Sequence, residues 1–398
     1  MKVFSISINR CAIVVAMAMM GFGVSGEDFN VREFGAKGDG LTKDTFAIQK
    51  TIDVAHQAGG GKVEFSQGTY ISGTIYLKSN VKLVFAKGAT IKGSPDREDY
   101  CKADAFPQNF ASTYDNMSGG HLIVARNCTN IGLLGPGKID GNSSAFLIDK
   151  NGKQYSNWKK GIPWRPGQMV FIVDSKDILV DGVEMVNSPY WTCFLLNNNG
   201  VVVRDCRIRT ERRKFRTWCG DGLDIDRCQN VVVTGCDIET EDDSITLRAS
   251  MGIKLKHPQD CSNVIVSNCV LSSACNAVRV GVGEGIVRNC RLSNLDIRNS
   301  MNAVNIISSY TNNRGADIHD ITFSSIKADC ERFLVLEYGR GNGWAKEAVI
   351  RDITFKNVSA KVKNENFIRE EAGRKFQNIV FENCEIAVQK TKNGGISR

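Results

Sequence analysis

One eight-residue pattern keeps returning along this chain, and it limits the possible folds more than any other feature. It reads apolar, any, apolar, two polar or small residues, Cys or an aliphatic, any, apolar. It spans Ile178–Met185, Val201–Ile208, Val231–Ile238, Val264–Leu271, a weaker copy Gly285–Leu292, then Ile321–Ala328, Ile353–Ala360 and Ile379–Ile386. Successive copies start 21 to 36 residues apart. Each alternates with period two, the signature of a strand with one inward face. A constant strand with a variable spacer means coils that carry loops of unequal length. A propeller would need hairpins joining four antiparallel strands per ~40 residues, and no Asn-Gly or Asp-Gly punctuation keeps that rhythm. The expected fold is therefore all-β, a single-stranded right-handed parallel β-helix whose coils stack at the ~4.8 Å strand spacing.

The cysteines fit this frame. The sixth position of the pattern holds Val183, Cys206, Cys236, Cys269, Cys290, Ile326, Val358 and Cys384. Cys alternating with Val and Ile behaves as a small buried hydrophobe, so an internal ladder of free thiols is expected rather than disulfides. Upstream of the repeats, Val31–Phe34 reads as a strand. Asp44 is placed to cap a helix in which Ala47, Ile48, Ile52 and Ala55 share one face. A short N-terminal helix over the open end of a β-helix would block edge-to-edge aggregation. Residues 62–92 alternate like strands, and the polar tail after Gln389 reads as frayed.

Residues 1–26 read as a signal peptide. Lys2 and Arg10 are basic, Cys11–Val24 is apolar but short for a bilayer span, and small residues precede Glu27. The remainder, 27–398, is expected to form one catalytic β-helix domain that is secreted or periplasmic. Losing Cys11 leaves 13 of the 14 cysteines, an odd number that obliges at least one thiol to lack an intrachain partner. Charged residues at 24% and hydrophobic residues at 42% exclude a disordered chain. The formal net charge of +8 falls to +6 without Lys2 and Arg10, and basic runs occur at Lys159-Lys160 and Arg207–Arg216. Such a surface attracts an anionic polymer. Export favours an acidic glycan over nucleic acid, and nothing suggests a membrane-bound mature chain.

After the Cys-bearing strand, each coil has a second strand. Four copies align: Asp221-Gly-Leu-Asp224-Ile225, Asp243-Ser-Ile-Thr246-Leu247, Asn276-Ala-Val-Arg279-Val280 and Asn302-Ala-Val-Asn305-Ile306. Apolar third and fifth positions point inward, so the first and fourth point outward. Asp221, Asp243, Asn276 and Asn302 then stack in one column, and Asp224, Thr246, Arg279 and Asn305 in the next. Asp221 and Asp243 would lie ~5 Å apart, flanked by Asp242 and Asp224. Carboxylates this close raise the pKa of at least one member. One protonated and one ionised carboxyl is what glycoside hydrolysis requires. A solvated acidic patch and a Ca²⁺ site are the alternatives that spacing leaves open.

These motifs resemble glycoside hydrolase family 28, the polygalacturonase group, from about Val31 to Cys384. The supporting segments are Phe34–Gly40, Asn130-Ile131 with Gly135–Gly141, and Asn187–Trp191. The family's Asn-Thr-Asp-Gly motif falls on Cys219-Gly220-Asp221-Gly222, keeping the Asp, and its paired Asp on Asp242-Asp243. The resemblance implies that Asp242 is the general acid, that Asp221 and Asp243 hold and deprotonate the attacking water, and that the anomeric configuration inverts. Asp224, Asn276, Arg279 and Asn305 would face the substrate, with no metal or cofactor, in a monomer acting on an acidic plant-type polysaccharide. Two departures stand out. The family's Gly-His-Gly falls on Cys275-Asn276-Ala277, and its Arg-Ile-Lys on Asn305-Ile306-Ile307. Family cations that contact a uronate carboxylate near the cleaved bond are thus absent, which resembles rhamnogalacturonan-type members. Arg279 reads either as a relocated cation or as a structural partner of Asp224.

None of His56, His121, His257 and His319 falls in the motif columns, so each is read as a surface or loop residue. Trp164, Tyr190, Trp191 and Trp218 lie near the motif coils, and for Trp191 sugar stacking and core packing both stay open. Two other functions compete with hydrolysis. One is a β-helix polysaccharide lyase using Ca²⁺ or a basic residue, and the other is a non-catalytic glycan-binding β-helix. Retention of Asp221, Asp242 and Asp243 argues against the latter.

Overall fold

The computed structural model describes residues 27–110, 119–148, 164–210, 219–250, 255, 257–310, 315–340, 348–371 and 373–389. The signal peptide expected over 1–26, Lys159-Lys160, Arg212-Arg213-Lys214, Trp218 and the tail beyond Gln389 lie outside them. The strands form one sheet in which every strand pairing is parallel. It coils into a right-handed parallel β-helix. No described helix is long and apolar enough to cross a membrane.

The recurring pattern has a backbone cause. The second of its two small or polar residues is left-handed in every coil: Gly182, Asp205, Gly235, Asn268, Asn294, Ser325, Asn357 and Asn383, with φ between 50° and 67°. Gly, Asn and Asp tolerate that region best. The chain turns there, and the flanking apolar residues go inside. The stack Val180, Val203, Val233, Val266, Leu292, Phe323 and Phe355 runs in unbroken register along the core and ends on the exposed Phe381. Its aromatic end is a row of stacked rings, 5.0 Å between Phe323 and Phe355 and 4.8 Å between Phe355 and Phe381.

Register corrects one copy of the repeat. Val264 pairs with Cys290 and Cys269 with Leu295. The true copy is Cys290–Ile297, so Cys290 belongs to the first apolar position and Leu295 takes its place in the cysteine column. Cys206, Cys236 and Cys269 are buried there as expected, and all thirteen cysteines from Cys101 to Cys384 are free thiols. Burial pushes the Cys228 and Cys290 thiols up to about 12, so they remain protonated and unreactive. Adding a reductant should therefore leave the melting temperature unchanged. A clear drop would mean that disulfides form after all.

The N-terminal end also departs from expectation. The strand is Glu27–Asn30, and Val31–Phe34 is a 3₁₀ turn capped by the Asn30 side chain accepting from Arg32 N–H. The helix α1 covers Thr45–Gln57 and buries Ala47, Ile48, Thr51, Ile52 and Ala55 against the first coils. Asp44 precedes α1 without capping it. Its carboxylate accepts instead from the backbone N–H of Lys37 at 2.7 Å and Gly38 at 2.9 Å, tying the Gly-rich loop to the helix.

Five strands stacked one on the next position the site: β1 (Leu223–Asp226), β2 (Ile245–Ala249), β3 (Asn276–Gly283), β4 (Ile286–Tyr310) and β5 (Asp317–Arg340).

Candidate active site

The outward columns stand in register. Asp224 pairs with Thr246, Thr246 with Arg279 and Arg279 with Asn305. In the neighbouring column Asn276 pairs with Asn302. Asp221 and Asp243 sit two residues ahead of β1 and β2, in adjacent coils tied by Gly222 N–H donating to the Asp243 carbonyl at 2.9 Å. Gly222 is required there, because a Cβ would come within 2.6 Å of the Ser244 carbonyl oxygen. The turn that aims the Asp pair is pinned from both sides. Thr240 and Ser273 hydroxyls donate to the Asp242 carbonyl at 2.6 and 2.5 Å.

Asp243 is buried and has both carboxylate oxygens engaged. Asn276 Nδ2 donates to Oδ1 at 2.5 Å, and Arg279 donates to Oδ2 at 3.0 Å. Arg279 thus pairs with Asp243. Asp224 accepts from the Thr246 hydroxyl at 2.6 Å and lies 4.0 Å from the Arg248 guanidinium. Because Asn276 turns its Nδ2 toward a carboxylate, its Oδ1 faces away. There it accepts from Asn302 at 2.9 Å and Asn305 at 3.1 Å. The Oδ1 atoms of Asn302 and Asn305 are left without a hydrogen-bond partner among the described residues.

Asp221 is buried, and its Oδ1 likewise has no hydrogen-bond partner among the described residues. Burial raises its pKa well above the usual carboxylate range. Asp224, Asp242 and Asp243 add to the rise and Arg248 opposes it. Asp242 is half-buried. Burial and then Asp243 push its carboxyl up to about 7, with Arg279 and Cys275 pulling the other way. The site thus holds a carboxyl poised to give up a proton near neutrality beside one that is ion-paired, the division of labour that acid–base chemistry uses.

Asp242, Asp243 and Cys275 are the one group among the described residues whose side-chain atoms, all within 4.8 Å of one another, could hold a metal ion. The chemistry of the donors does not favour a resident cation. Both Asp243 oxygens are already bonded, one of them by a guanidinium, and the Cys275 thiol is held protonated by burial and by Asp243 and Asp242.

Sequence reasoning did not find Arg248. It lies one alternation beyond Thr246, in register with Asp226 and 3.7 Å from its carboxylate, with the guanidinium 4.6 Å from the Trp191 ring. Trp191 is buried, stacked on Tyr190 at 5.1 Å, and packs rather than presenting a groove face. Tyr190 is buried too, under the Arg165 guanidinium at 4.2 Å, and Trp164 packs on Tyr100 and Phe146. His121 is a buried loop residue, not a surface one. Its ring bonds the Gln168 carbonyl and Asn109, and burial lowers its pKa to about 4, which leaves it neutral. In the slot expected to have lost its cations, Asn305 bonds Asn276, Ile306 is in the core and Ile307 is buried.

A family model described as glycosyl hydrolases family 28 matches residues 101–395. An endo-polygalacturonase of Pectobacterium carotovorum is 26% identical over 351 residues, covering 79% of this chain and 83% of its own length. An exo-poly-alpha-D-galacturonosidase of Dickeya chrysanthemi is 26% identical, covering 83% of this chain and 62% of its own length. The solved polygalacturonase from Erwinia carotovora superposes with a TM-score of 0.68 at 20% identity, covering 88% of this chain and 94% of that one. This last likeness is one of fold.

Proposed function

The chain belongs to glycosyl hydrolase family 28, and on that premise we propose that it is an exported enzyme hydrolysing a pectin-like acidic polysaccharide. The signal peptide at 1–26 directs export, and 27–398 form the catalytic unit. Asp242 is the general acid and gives its proton to the leaving-group oxygen. Asp221 and Asp243 hold and deprotonate the attacking water. Asp224, Asn276, Arg279 and Asn305 line the substrate side. The observation that carries this reading is the pairing of opposites in one turn: Asp242 pushed up to about 7 next to Asp243 ion-paired at 3.0 Å.

Inversion is the stereochemical outcome we propose. The Asp242 and Asp243 carboxylates lie within 4.8 Å, closer than the ~6.5–9.5 Å usual for inverting pairs. The reading of inversion rests on the resemblance of Asp221 and the Asp242-Asp243 pair to the family's carboxylate pattern, with Asp221 Oδ1, which has no partner among the described residues, left to hold the water.

The sugar beyond the cleaved bond is read as neutral. Of the Arg-Ile-Lys slot only Asn305 stays partly exposed, Ile306 and Ile307 being buried, so the slot offers no cation. A carboxylate desolvated there without a partner costs about 1–3 kcal/mol. An alternating polymer such as rhamnogalacturonan is therefore expected to be cleaved with higher kcat/KM than homogalacturonan, giving new reducing ends. Product NMR should report the inverted anomer, and activity should survive a chelator. A preference for homogalacturonan would sink the neutral-sugar reading. Retained configuration would sink the water-attack scheme, and a Ca²⁺-dependent unsaturated product would point to the lyase.

A further inference from the structure

We infer that the Cys275 thiol is a positioning residue for the Asp242 proton, donating its S–H to that carboxyl and fixing which oxygen faces the leaving group. This builds on the reading of Asp242 as general acid. The geometry leaves the thiol few choices. Its Sγ accepts from Asn276 Nδ2 at 3.2 Å, so the sulfur lone pairs face Asn276. Its one proton is left facing the carboxylates of Asp242 and Asp243, which both lie within 4.8 Å. Both Asp243 oxygens are already bonded, by Asn276 and Arg279. Asp243 is the more crowded acceptor, and Asp242, tied to Cys275 through Ser273, is the one we assign to the S–H.

The backbone holds this pair rigidly. Ser273 Oγ donates to the Asp242 carbonyl at 2.5 Å and accepts from Cys275 N–H at 2.8 Å, so one hydroxyl links both residues. Ser300 Oγ accepts in turn from Ser273 N–H at 3.1 Å. A carboxyl has one oxygen that carries the proton and one that can accept. An S–H bonded to the second leaves the proton on the first. Once that proton has gone to the leaving group, the same S–H stabilises the new carboxylate. The thiol itself stays neutral, because burial and the carboxylates of Asp243 and Asp242 raise its pKa. The other ionisable groups acting on Asp242 are Asp221 from the preceding coil, its neighbour Asp243, and Arg279 from the following coil.

The test is the pH profile of kcat/KM and kcat for wild type, Cys275→Ala, Cys275→Ser and Asp242→Asn, on whichever pectic polymer the wild type hydrolyses. Removing a donor to the ionised carboxyl makes ionisation harder. The basic limb of Cys275→Ala should therefore move to higher pH by about half a unit or more, the size of one hydrogen bond to a charged group. Its plateau kcat should fall severalfold with KM unchanged. Cys275→Ser keeps a donor and should restore kcat, with its limb below the wild-type pH. If Cys275→Ala does not fold, Cys275→Ser still decides, because a hydroxyl donates more strongly and must shift the limb downward. An unmoved limb with Asp242→Asn inactive overturns the thiol's role alone. Activity in Asp242→Asn overturns the acid assignment along with it.

Discussion

Asp242→Asn should abolish hydrolysis while leaving the β-helix folded. General acid assistance contributes about 10²–10⁴-fold, and Asn, which has no acidic proton, forfeits all of it. The side chains are nearly isosteric, and the turn is held through the Asp242 backbone carbonyl rather than its carboxyl. Circular dichroism should thus match the wild type. The stability sign follows from the shift. A carboxyl whose folded pKa is raised from 3.8 to about 7 favours the folded state most when protonated, at pH below 3.8. That advantage is lost as pH rises through about 7, where ionising it inside the site works against folding. Asn carries no such cost, so at pH 8 the variant should melt at or above the wild-type temperature. The wild type's own activity should decline as pH climbs through about 7, since the acid must be protonated to act. Substantial kcat in the variant on a true substrate would remove Asp242 from the acid's role, whatever the melting curve shows.

The parts of this molecule that could be read in advance are those governed by two periods, the strand alternation and the coil repeat. Asp224, Thr246, Arg279 and Asn305 share a column because their inward neighbours Ile225, Leu247, Val280 and Ile306 share one. Departures arise where neither period applies. Cys290 reads into the wrong column because Cys occupies two different inward positions and left-handed corners at Asn289 and Asn294 fit either frame, so only the strand register fixes which one it holds. Asp44 looked like a helix cap, since its sequence position is right, but two loop N–H groups compete for the same carboxylate and win. A column predicts which Cα atoms are neighbours, and Arg248 does meet Asp226 in its own, whereas the Arg279 guanidinium reaches past its column to Asp243. Cys275 carried a visible signal as the replacement beside the missing His, but its chemistry depends on which oxygens are already occupied, and that is a property of the folded turn.

Arg279→Ala should be the most damaging change at a position that is not itself a carboxylate. Arg279 and Asp243 have side chains 15% and 3% exposed, so water screens their pairing little. Deleting one partner of a buried pair costs about 3–5 kcal/mol, because the remaining charge stays desolvated. Among the described residues Asp243 would keep only the Asn276 amide as a bonded side chain. The damage should then spread along the relay. If Asp243 swings toward water, Asn276 loses the contact that orients it, and Asn302 and Asn305 lose the acceptor that orients them. Both stability and activity should therefore fall, the melting temperature by many degrees and kcat/KM by at least about 10²-fold, the share of one displaced acid–base group. Arg279→Lys restores a charge but only as a point donor, without the planar fork that can bond one carboxylate and still face another group. It should recover most of the stability and less of the rate. That split is the diagnostic result. Were Arg279 solely a substrate contact, Arg279→Ala would melt with the wild type and raise KM alone, and the ion pair would have to be discounted as an organiser of this site.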